Sequence, residues 1–588
     1  MRRLFVFLLA ALLLVGCAGQ QQEPGYITVS LSLPRGCSVA ENGLRIISGQ
    51  DAVFELILED GYALAAVNYP GGYTTETKNG KLYLRLQQVR YPAKVAVELT
   101  SCYCSIRYEP NGGQGESQQR AYDKRLHLRP NTSTGQGLFT REGYTLTGWN
   151  TMADGSGQAV GLGSRVSVPG GSITLYAQWA KWTGEEQFSW EKTADGIRIT
   201  GYDGNEDTVV IPEKLDGTDV TAVGTGAFAN CRATHIILPS TLKELENGAF
   251  TGCGLKELTL FDHIETFGDD AFVNCPEFST VHINAVEAPY GYAYRQESCF
   301  ADKVDILLEA QGQKKMVFYG GCSIWYNLDG KLAQNTLGDD YRVINMGLNG
   351  VVNSSAQMQI MTHFLEEGDI LFHTPEISSQ AQLMIRTKMI DHDRKLWSGL
   401  EYNYDLVALL DIRTLPEFFD IFHYWLREKK PISSYTEIYR DTNGNYYVDE
   451  FGCIPFNRQD SAQELVDTVY LDPSYMDPVA LGRLEDHYRV ILDKKVKIYV
   501  GYACVNMDAV PWEQQGNVAM MDGLFRDAFS QMEGISVIGK LSRHLYHNGD
   551  FYDTNYHLLS EPARYNTLVW LEDLEEQMRL DGLWPETE

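Results

Sequence analysis

A repeated nine-residue phrase restricts what this chain can fold into more than any other feature. It occurs three times at intervals of 22 residues, and each copy ends in Ala-Phe-x-x-Cys: Val223–Cys231, Leu245–Cys253 and Phe267–Cys275. One copy cannot bury its own apolar side, so the copies must stack to form a core. We therefore predict a short solenoid with two interior rows of repeated side chains. The rows are Phe228, Phe250, Phe272 and Cys231, Cys253, Cys275.

The repeat resembles the BspA-type leucine-rich repeats of bacterial surface proteins. Ile236–Pro239 and Leu258–Leu260 stand where that family has its strands, and we assign residues 185–300 to the array. The resemblance implies a concave face that binds a host protein, a surface protein or a glycan. A rigid stalk is the alternative interpretation.

Residues 26–103 have the pattern of a β-sandwich. Ile27–Leu33 alternates apolar and polar side chains, as a half-buried strand does. Three further runs of this kind follow, at residues 52–58, 81–86 and 93–99. We expect a small antiparallel sandwich that acts as a spacer or a binding module.

Residues 104–180 carry motifs that resemble the internalin-type B-repeat, a small β module of bacterial surface proteins. The motifs are Tyr108–Gly113, Arg141–Asn150, Ala153–Gly157 and Thr174–Trp179. The glycines of these motifs suit turns with positive φ. We predict that four aromatic side chains form the core of the module, although a glycan-binding platform is the alternative. They are Tyr144, Trp149, Tyr176 and Trp179.

The N-terminus is typical of an exported protein. Met1–Arg3 is basic and Leu4–Val15 is apolar but short for a membrane span, which predicts a signal peptide over residues 1–16. Leu14–Cys17 resembles the bacterial lipobox. The resemblance implies a lipid on Cys17, a tether over residues 17–25 and a membrane-anchored protein of the cell envelope that faces away from the cytoplasm. An ordinary signal peptide is the alternative.

The charge and the cysteine spacing exclude two classes of partner. The chain has 78 acidic and 49 basic side chains, a formal charge of −29, and no basic patch that would neutralise phosphates. We therefore predict no nucleic-acid partner. The cysteines form no Cys-x-x-Cys pair and have no matching histidine cluster, so we expect neither a metal nor a cofactor.

Residues 305–588 alternate between strand and helix patterns, which predicts an α/β domain with a mostly parallel sheet. The first strand, Val317–Tyr319, ends in Gly320–Ser323, and such a turn can hold a serine hydroxyl at the carboxyl edge of the sheet, where ligands bind. The remaining predicted strands are 341–346, 370–373 and 496–502; the helical segments are 324–337, 356–366 and 478–492.

Three blocks of this domain resemble those of the SGNH (GDSL-type) hydrolases: Gly321–Ser323, Val343–Gly350 and Phe551–Leu558. The resemblance implies a three-layer, flavodoxin-like α/β fold and an acyl-transfer site. In such a site a histidine takes the proton of a serine nucleophile, an acid orients the histidine, and preorganised donors stabilise the oxyanion. The implied catalytic residues are Ser323, His557 and Asp553, and the implied oxyanion donors are the amides of Ser323 and Gly347 and the side chain of Asn349.

The chain departs from the family pattern at three places. Cys322 replaces the aspartate of the first block, and Asp553 lies four residues before His557 rather than three. His373–Glu376 stands where the family has Gly-x-Asn-Asp, so Asn349 or His373 would have to replace the missing donor. Two other histidines compete for the role of base: His544 and His547. We expect the long insertion at residues 376–472 to cover the site.

The sequence thus indicates a multi-domain protein with N-terminal all-β modules, a short solenoid and a C-terminal α/β domain. We expect an envelope-anchored serine esterase or acyltransferase that acts on O-acyl or O-acetyl groups of carbohydrates or cell-wall polymers. The alternative is a non-catalytic surface adhesin, or glycan- or protein-binding protein, with a degenerate hydrolase domain.

Overall fold

The computed structural model describes most of the chain, and it divides into two compact units. The first unit holds residues 1–105 with the short pieces 121–125 and 170–172, and the second holds the remainder. The described residues are 25–34, 36–59, 62–78, 81–101, 103–123, 129–268, 270–287, 299–348, 353–376, 397, 399–400, 403–415, 418–419, 422, 448–454, 468–552 and 554–585.

The first unit is a β-sandwich of two four-stranded sheets, with strand orders β3-β1-β8-β5 and β2-β4-β7-β6. The strands are β1 (Tyr26–Ser32), β2 (Cys37–Val39), β3 (Leu44–Ile47), β4 (Gln50–Leu58), β5 (Tyr62–Asn68), β6 (Tyr73–Lys78), β7 (Lys81–Val89) and β8 (Ala93–Ser101). Val29, Phe54 and Leu84 lie in its core. We predicted an antiparallel sandwich, and the prediction is wrong for one strand pair, since β1 and β8 pair in parallel.

A five-stranded sheet with the order β10-β9-β13-β11-β12 follows. Its strands are β9 (Tyr103–Glu109), β10 (Gln118–Asp123), β11 (Tyr144–Asn150), β12 (Ala159–Val160) and β13 (Ser172–Lys181). Of the four aromatic residues predicted as its core, Trp149 is buried, whereas Tyr144, Tyr176 and Trp179 are half-buried. Tyr108 is the unpredicted core partner, with its ring centroid 4.8 Å from that of Trp149.

The predicted solenoid is present as two mainly parallel sheets, with the orders β14-β15-β18-β20-β22 and β16-β19-β21-β23. The strands are β14 (Phe188–Lys192), β15 (Ile197–Tyr202), β16 (Thr208–Val210), β17 (Lys214–Leu215), β18 (Thr218–Val223), β19 (His235–Ile237), β20 (Glu244–Leu245), β21 (Glu257–Phe261), β22 (Thr266–Phe267) and β23 (Thr280–Asn284). Val223 pairs with Leu245, and Leu245 with Phe267, so each turn advances by one sequence repeat.

The predicted phenylalanine row is confirmed. The ring centroids of Phe228 and Phe250 are 5.2 Å apart, and those of Phe250 and Phe272 are 5.4 Å apart. In the cysteine row, Cys253 is buried, while Cys231 and Cys275 are half-buried.

The C-terminal domain has a five-stranded parallel sheet with the order β25-β24-β26-β27-β29. The strands are β24 (Lys315–Gly320), β25 (Arg342–Asn345), β26 (Ile370–Thr374), β27 (Lys497–Val500), β28 (Val505–Asn506), β29 (Ile535–Val537) and β30 (Leu545–Tyr546), where β28 and β30 form a separate pair. The helices are α1 (Cys299–Glu309), α2 (Cys322–Asn327), α3 (Gly330–Leu337), α4 (Ser354–Phe364), α5 (Pro478–Asp493), α6 (Val518–Ser530) and α7 (Ser560–Asp581).

Helices cover both faces of this sheet because the strands are apolar on both sides, as buried parallel strands are. Met316 and Phe318 of β24 pack in one cluster with side chains of α3 and α7. Val317 and Tyr319 belong to the other cluster, with side chains of α1, α4 and α5. The predicted crossover at 324–337 is helical and consists of two helices, because Asp329 caps a new helix by accepting the N–H of Leu332.

The described part of the insertion packs on the solenoid. The ring of Phe419 stacks on Phe272 at 4.7 Å and on Phe267 at 5.3 Å, so it extends the phenylalanine row. Tyr404 donates its hydroxyl to Asp262 at 2.9 Å. These residues therefore end the solenoid and join it to the α/β domain. Most of residues 376–472, which we predicted to cover the site, lie outside the described residues. The solenoid is accordingly not a free stalk.

Buried ion pairs join the B-repeat region to α1. Asp305 is fully buried, and its two carboxylate oxygens accept from Arg129 Nε at 2.6 Å and Arg165 Nη1 at 2.8 Å. Arg165 also pairs with Asp302 at 2.9 Å. The B-repeat, the solenoid and the α/β domain are thus packed together within the second unit.

None of the described helices is long and apolar enough to cross a bilayer. The predicted signal peptide at residues 1–16, Cys17 and residues 18–24 of the predicted tether lie outside the described residues.

Candidate active site

Ser323 lies at the carboxyl edge of the parallel sheet, where β24 turns into α2. Gly320 and Gly321 precede this turn because a side chain at either position would collide with the end of β26 or with Glu376. A Cβ on Gly320 would lie 2.9 Å from the Thr374 carbonyl oxygen, and one on Gly321 would lie 2.6 Å from Glu376 Oε1. The turn therefore brings the serine against the end of β26.

Glu376 is the immediate polar partner of Ser323. Its Oε1 accepts the Ser323 hydroxyl at 3.1 Å and the Ser323 N–H at 3.2 Å. Both side chains are buried. Burial raises the pKa of Glu376 to about 7, although the two bonds from Ser323 act in the opposite direction. This carboxyl group therefore changes charge near neutral pH.

A thiol also lies beside the serine. Cys504 Sγ is 3.8 Å from Ser323 Oγ, and it accepts an N–H of Asn327 at 3.2 Å. Burial raises the pKa of Cys504 to about 12, so the thiol stays protonated. Glu376 and Cys504 line a small cavity together with Asn555 and Tyr556.

His557 lies against the helix that carries Ser323. Its ring stacks on Tyr326 with a centroid distance of 3.5 Å. Asn327 fixes the backbone on both sides of the histidine, because its amide donates to Tyr556 O at 2.9 Å and accepts the Leu558 N–H at 2.8 Å. The C-terminal segment is thus held on α2, close to the serine in the fold although distant in sequence.

Gly347, the predicted oxyanion donor, packs against Ile324 and Trp325 of α2. A Cβ there would lie 2.6 Å from the backbone nitrogen of Trp325, which accounts for the glycine. Its N–H donates to Asn345 Oδ1 at 2.9 Å. In this state the Gly347 amide is therefore engaged in holding the loop after β25.

The remaining predicted residues divide into three groups. His373 is buried beside Tyr488, with Nδ1 2.5 Å from its hydroxyl, and burial lowers its pKa to about 3. His544 bonds to Asn566, and His547 pairs with Asp508 at the surface. Asp553 and Asn349 lie outside the described residues.

The structure thus places Ser323 on α2 and packs the His557 ring against Tyr326 of the same helix, but the hydrogen bonds that it gives the serine hydroxyl are with Glu376 and Cys504. Sequence reasoning missed the contacts of Glu376 and Asn327. Glu376 ends the block that replaces Gly-x-Asn-Asp, which was a usable signal. Nothing in the sequence marked Asn327.

Within the described part of the chain, no cluster of three or more His, Cys, Asp or Glu side chains could hold a metal ion.

Comparison with known proteins confirms the two predicted repeat types. The BspA type leucine rich repeat region matches residues 211–323 in six copies, and the Listeria-Bacteroides repeat domain matches residues 105–178. The first match extends beyond the last solenoid strand, which ends at Asn284, into α1, β24 and α2.

The individual relatives cover little of the chain. A protein of Evansella cellulosilytica named "Putative membrane protein" is 43% identical over 60 residues, which are 10% of this chain and 8% of that protein. The crystal structure of a T. pallidum leucine-rich repeat protein is 25% identical and covers 17% of this chain and 71% of that one, with a TM-score of 0.14. That TM-score is too low to show a shared fold. The two repeat matches support a surface-associated repeat protein.

Proposed function

We propose that the C-terminal domain is an SGNH-type serine hydrolase or acyltransferase and that the repeats present it at the cell envelope, held there by a lipid on Cys17. The observation that carries the proposal is the position of Ser323. It follows β24, which is the first strand of the parallel sheet along the chain and lies between β25 and β26, and the strand order reverses beside β24, which is where open α/β sheets bind their ligands. Numbered along the chain, the sheet has the order 2-1-3-4-5, which supports the proposed flavodoxin-like fold.

The position of His557 supports the same reaction class. It stacks one helical turn from the serine, on Tyr326, and Asn327 holds its backbone. In the proposed first step His557 takes the hydroxyl proton while Ser323 Oγ attacks the acyl carbon of an ester. The alcohol leaves with that proton, and water or an acceptor alcohol then releases the acyl group from the serine. Asp553 is the proposed orienting acid.

The Glu376 side chain must move away from Ser323 before this reaction can occur. Its Oε1 accepts the Ser323 amide at 3.2 Å, and that amide is the proposed donor to the oxyanion. The described state is therefore a closed one, in which a carboxyl oxygen stands in for the oxygen of the substrate. We propose that the incoming acyl group displaces it, and that Asn349 and the Gly347 amide complete the set of donors.

The proposed substrates are O-acetyl or other O-acyl esters of carbohydrates in envelope polymers or surrounding glycans. The repeat regions support this choice, since a surface-associated protein meets such polymers first. The −29 charge also disfavours polyanionic substrates.

A second function rests on a specific observation. Ser323 is fully buried and both its N–H and its hydroxyl are held by Glu376, so the domain could serve only as a scaffold for a surface adhesin. In that case the carboxyl–serine bonds would be structural and no acyl transfer would occur.

Acetate release distinguishes the two functions. We expect the full chain to release acetate from acetylated xylan or 4-nitrophenyl acetate, and we expect Ser323→Ala and His557→Ala each to lower kcat by about a thousandfold or more. Cys504→Ser keeps a small polar group beside the serine and is the matched control, expected to retain folding and most of the activity. Equal release by wild type and Ser323→Ala would refute the hydrolase and leave the adhesin.

A further inference from the structure

A cavity of about 410 Å³ opens between the B-repeat and the solenoid, on a part of the second unit that the proposed hydrolase does not use. Its size lies within the usual range of small-ligand sites. Its lining includes the buried Phe261 of β21 and Leu162. Neither repeat forms this cavity alone.

The junction around the cavity is fixed by hydrogen bonds. Asn284, at the end of the solenoid, accepts the Leu162 N–H at 2.9 Å and donates to Thr147 O at 3.1 Å. The next residue, Ala285, donates its N–H to Leu162 O at 3.0 Å. The walls therefore have a defined geometry, and binding requires little ordering.

Aromatic rings line one wall in fixed orientations. The indole N–H of Trp179 donates to Pro110 O, and that of Trp182 donates to Thr145 Oγ1, each at 2.9 Å. Both indole donors are thus satisfied within the protein. Both side chains are only half-buried, and they line the cavity with Tyr144.

Hydrogen-bonding groups stand among these rings. Glu213 Oε1 accepts the Ser240 hydroxyl at 2.8 Å, and both residues line the cavity. Burial raises the pKa of Glu213, which marks a carboxyl group partly withdrawn from water. The Arg141 guanidinium lies 3.8 Å over the ring of Tyr144. Glu142 also lines the cavity. The charged groups of the cavity lining are therefore the carboxyl groups of Glu142 and Glu213 and the guanidinium of Arg141.

We propose that this cavity binds a segment of an uncharged oligosaccharide. The C–H faces of sugar rings suit the indole rings, and sugar hydroxyls suit the carboxyl and guanidinium groups that line the same cavity. A wholly apolar ligand would leave those polar groups desolvated without partners. An acidic ligand would meet two carboxyl groups in a protein of formal charge −29. The site is independent of Ser323.

Titration of the full chain with four uncharged tetrasaccharides tests the proposal: cellotetraose, chitotetraose, maltotetraose and mannotetraose. We expect at least one to change the tryptophan fluorescence, with the Kd confirmed by calorimetry. Glu213→Gln and Trp182→Ala should each raise that Kd by about tenfold or more, since each removes a hydrogen-bonding charge or a stacking face. Trp512→Ala, an indole that is 79% exposed and lies outside the cavity, should leave the Kd within about twofold.

Binding by Ser323→Ala should equal that of the wild type, which separates this site from the hydrolase. Glu213→Gln keeps the size and shape of the side chain, so an unchanged melting temperature in that variant shows that loss of binding is not loss of folding. The proposal is overturned if none of the four saccharides binds at millimolar concentration, or if both cavity variants bind as the wild type does. It is equally overturned if a tetra-aspartate peptide binds in the cavity and the saccharides do not.

Discussion

At the scale of single residues, the contact between Glu376 and Ser323 determines the state of the candidate site. A buried carboxyl group that accepts two bonds from one residue depends on the register of β24 and β26, in which Gly320 lies beside Thr374. Sequence patterns predicted β24 and β26 but not the contact of Glu376, which follows β26, with Ser323. The glycines at 320 and 321 were predicted as a turn, and the reason for them is the nearby end of β26.

Glu376 should make the stability of the second unit fall as the pH rises. Its folded-state pKa of about 7 exceeds the ordinary value of 4.5, so between those values the folded chain retains a proton that the unfolded chain has lost. The stabilisation is complete below pH 4.5 and is lost by about pH 7, and the loss amounts to about 3 kcal/mol. Glu376→Gln should abolish this pH-dependent loss of folding stability, because glutamine does not ionise.

Calorimetric melting at pH 5 and pH 8 measures the effect. His373, whose pKa burial lowers to about 3, contributes in the opposite direction, but it does so in both proteins and cancels in their difference. The wild type should lose more stability than Glu376→Gln between the two pH values. Parallel losses would show that the carboxyl group is already ionised.

Gly347→Ala should destabilise the domain by about 2 kcal/mol, because the added Cβ meets the Trp325 backbone nitrogen at 2.6 Å and that backbone belongs to a packed helix. Gly482→Ala is the matched control. It lies within α5 with no atom near its Cβ, and it should stabilise by about 0.5–1 kcal/mol. Melting temperatures of both variants decide the matter, and a neutral Gly347→Ala would contradict the close packing.

At the scale of elements, the sequence period of 22 residues was sufficient to predict the solenoid and its phenylalanine row. A fixed period states which residues stack, so no tertiary information is needed. The aromatic core of the B-repeat was predicted less well, because motif letters do not tell which face of a strand is covered. Tyr176 and Trp179 lie on a partly exposed strand, β13, whereas Tyr108 is buried.

Phe419→Ala should destabilise the end of the solenoid by about 2 kcal/mol, because Phe419 stacks on both Phe267 and Phe272 and is half-buried. Hydrogen exchange of the β22 amides measures this local loss. Tyr565→Ala, at a ring that is 61% exposed on α7, should change stability by less than about 0.5 kcal/mol. Equal protection in the two variants would show that the insertion does not end the solenoid.

Asp305→Ala should cost about 3–5 kcal/mol, because it leaves Arg129 and Arg165 buried without their shared carboxylate. Arg489→Ala removes surface ion pairs with Glu485 and Asp486 and should cost less than about 1 kcal/mol. Limited proteolysis of the B-repeat and melting temperature report the difference. A mild effect of Asp305→Ala would mean that the repeat and α1 are not coupled through this cluster.

At the scale of the whole molecule, the order of modules followed from local motifs, but their packing did not. The contacts of Phe419 with the solenoid and of Asp305 with the B-repeat join residues far apart in sequence, and no period or motif specifies such pairs. Through these contacts the repeats and the α/β domain pack together within the second unit, which therefore contains both the proposed hydrolase site and the proposed saccharide cavity.

The central claim is that Ser323 is an activated nucleophile, and covalent labelling tests it most directly. The full chain is treated with a fluorophosphonate, which reacts with activated serines, and the modified peptide is identified by mass spectrometry. We predict one adduct on Ser323, absent from Ser323→Ala and strongly reduced in His557→Ala. Absence of an adduct on Ser323 in folded protein, under conditions that fully label a known serine hydrolase in the same tube, would contradict the account.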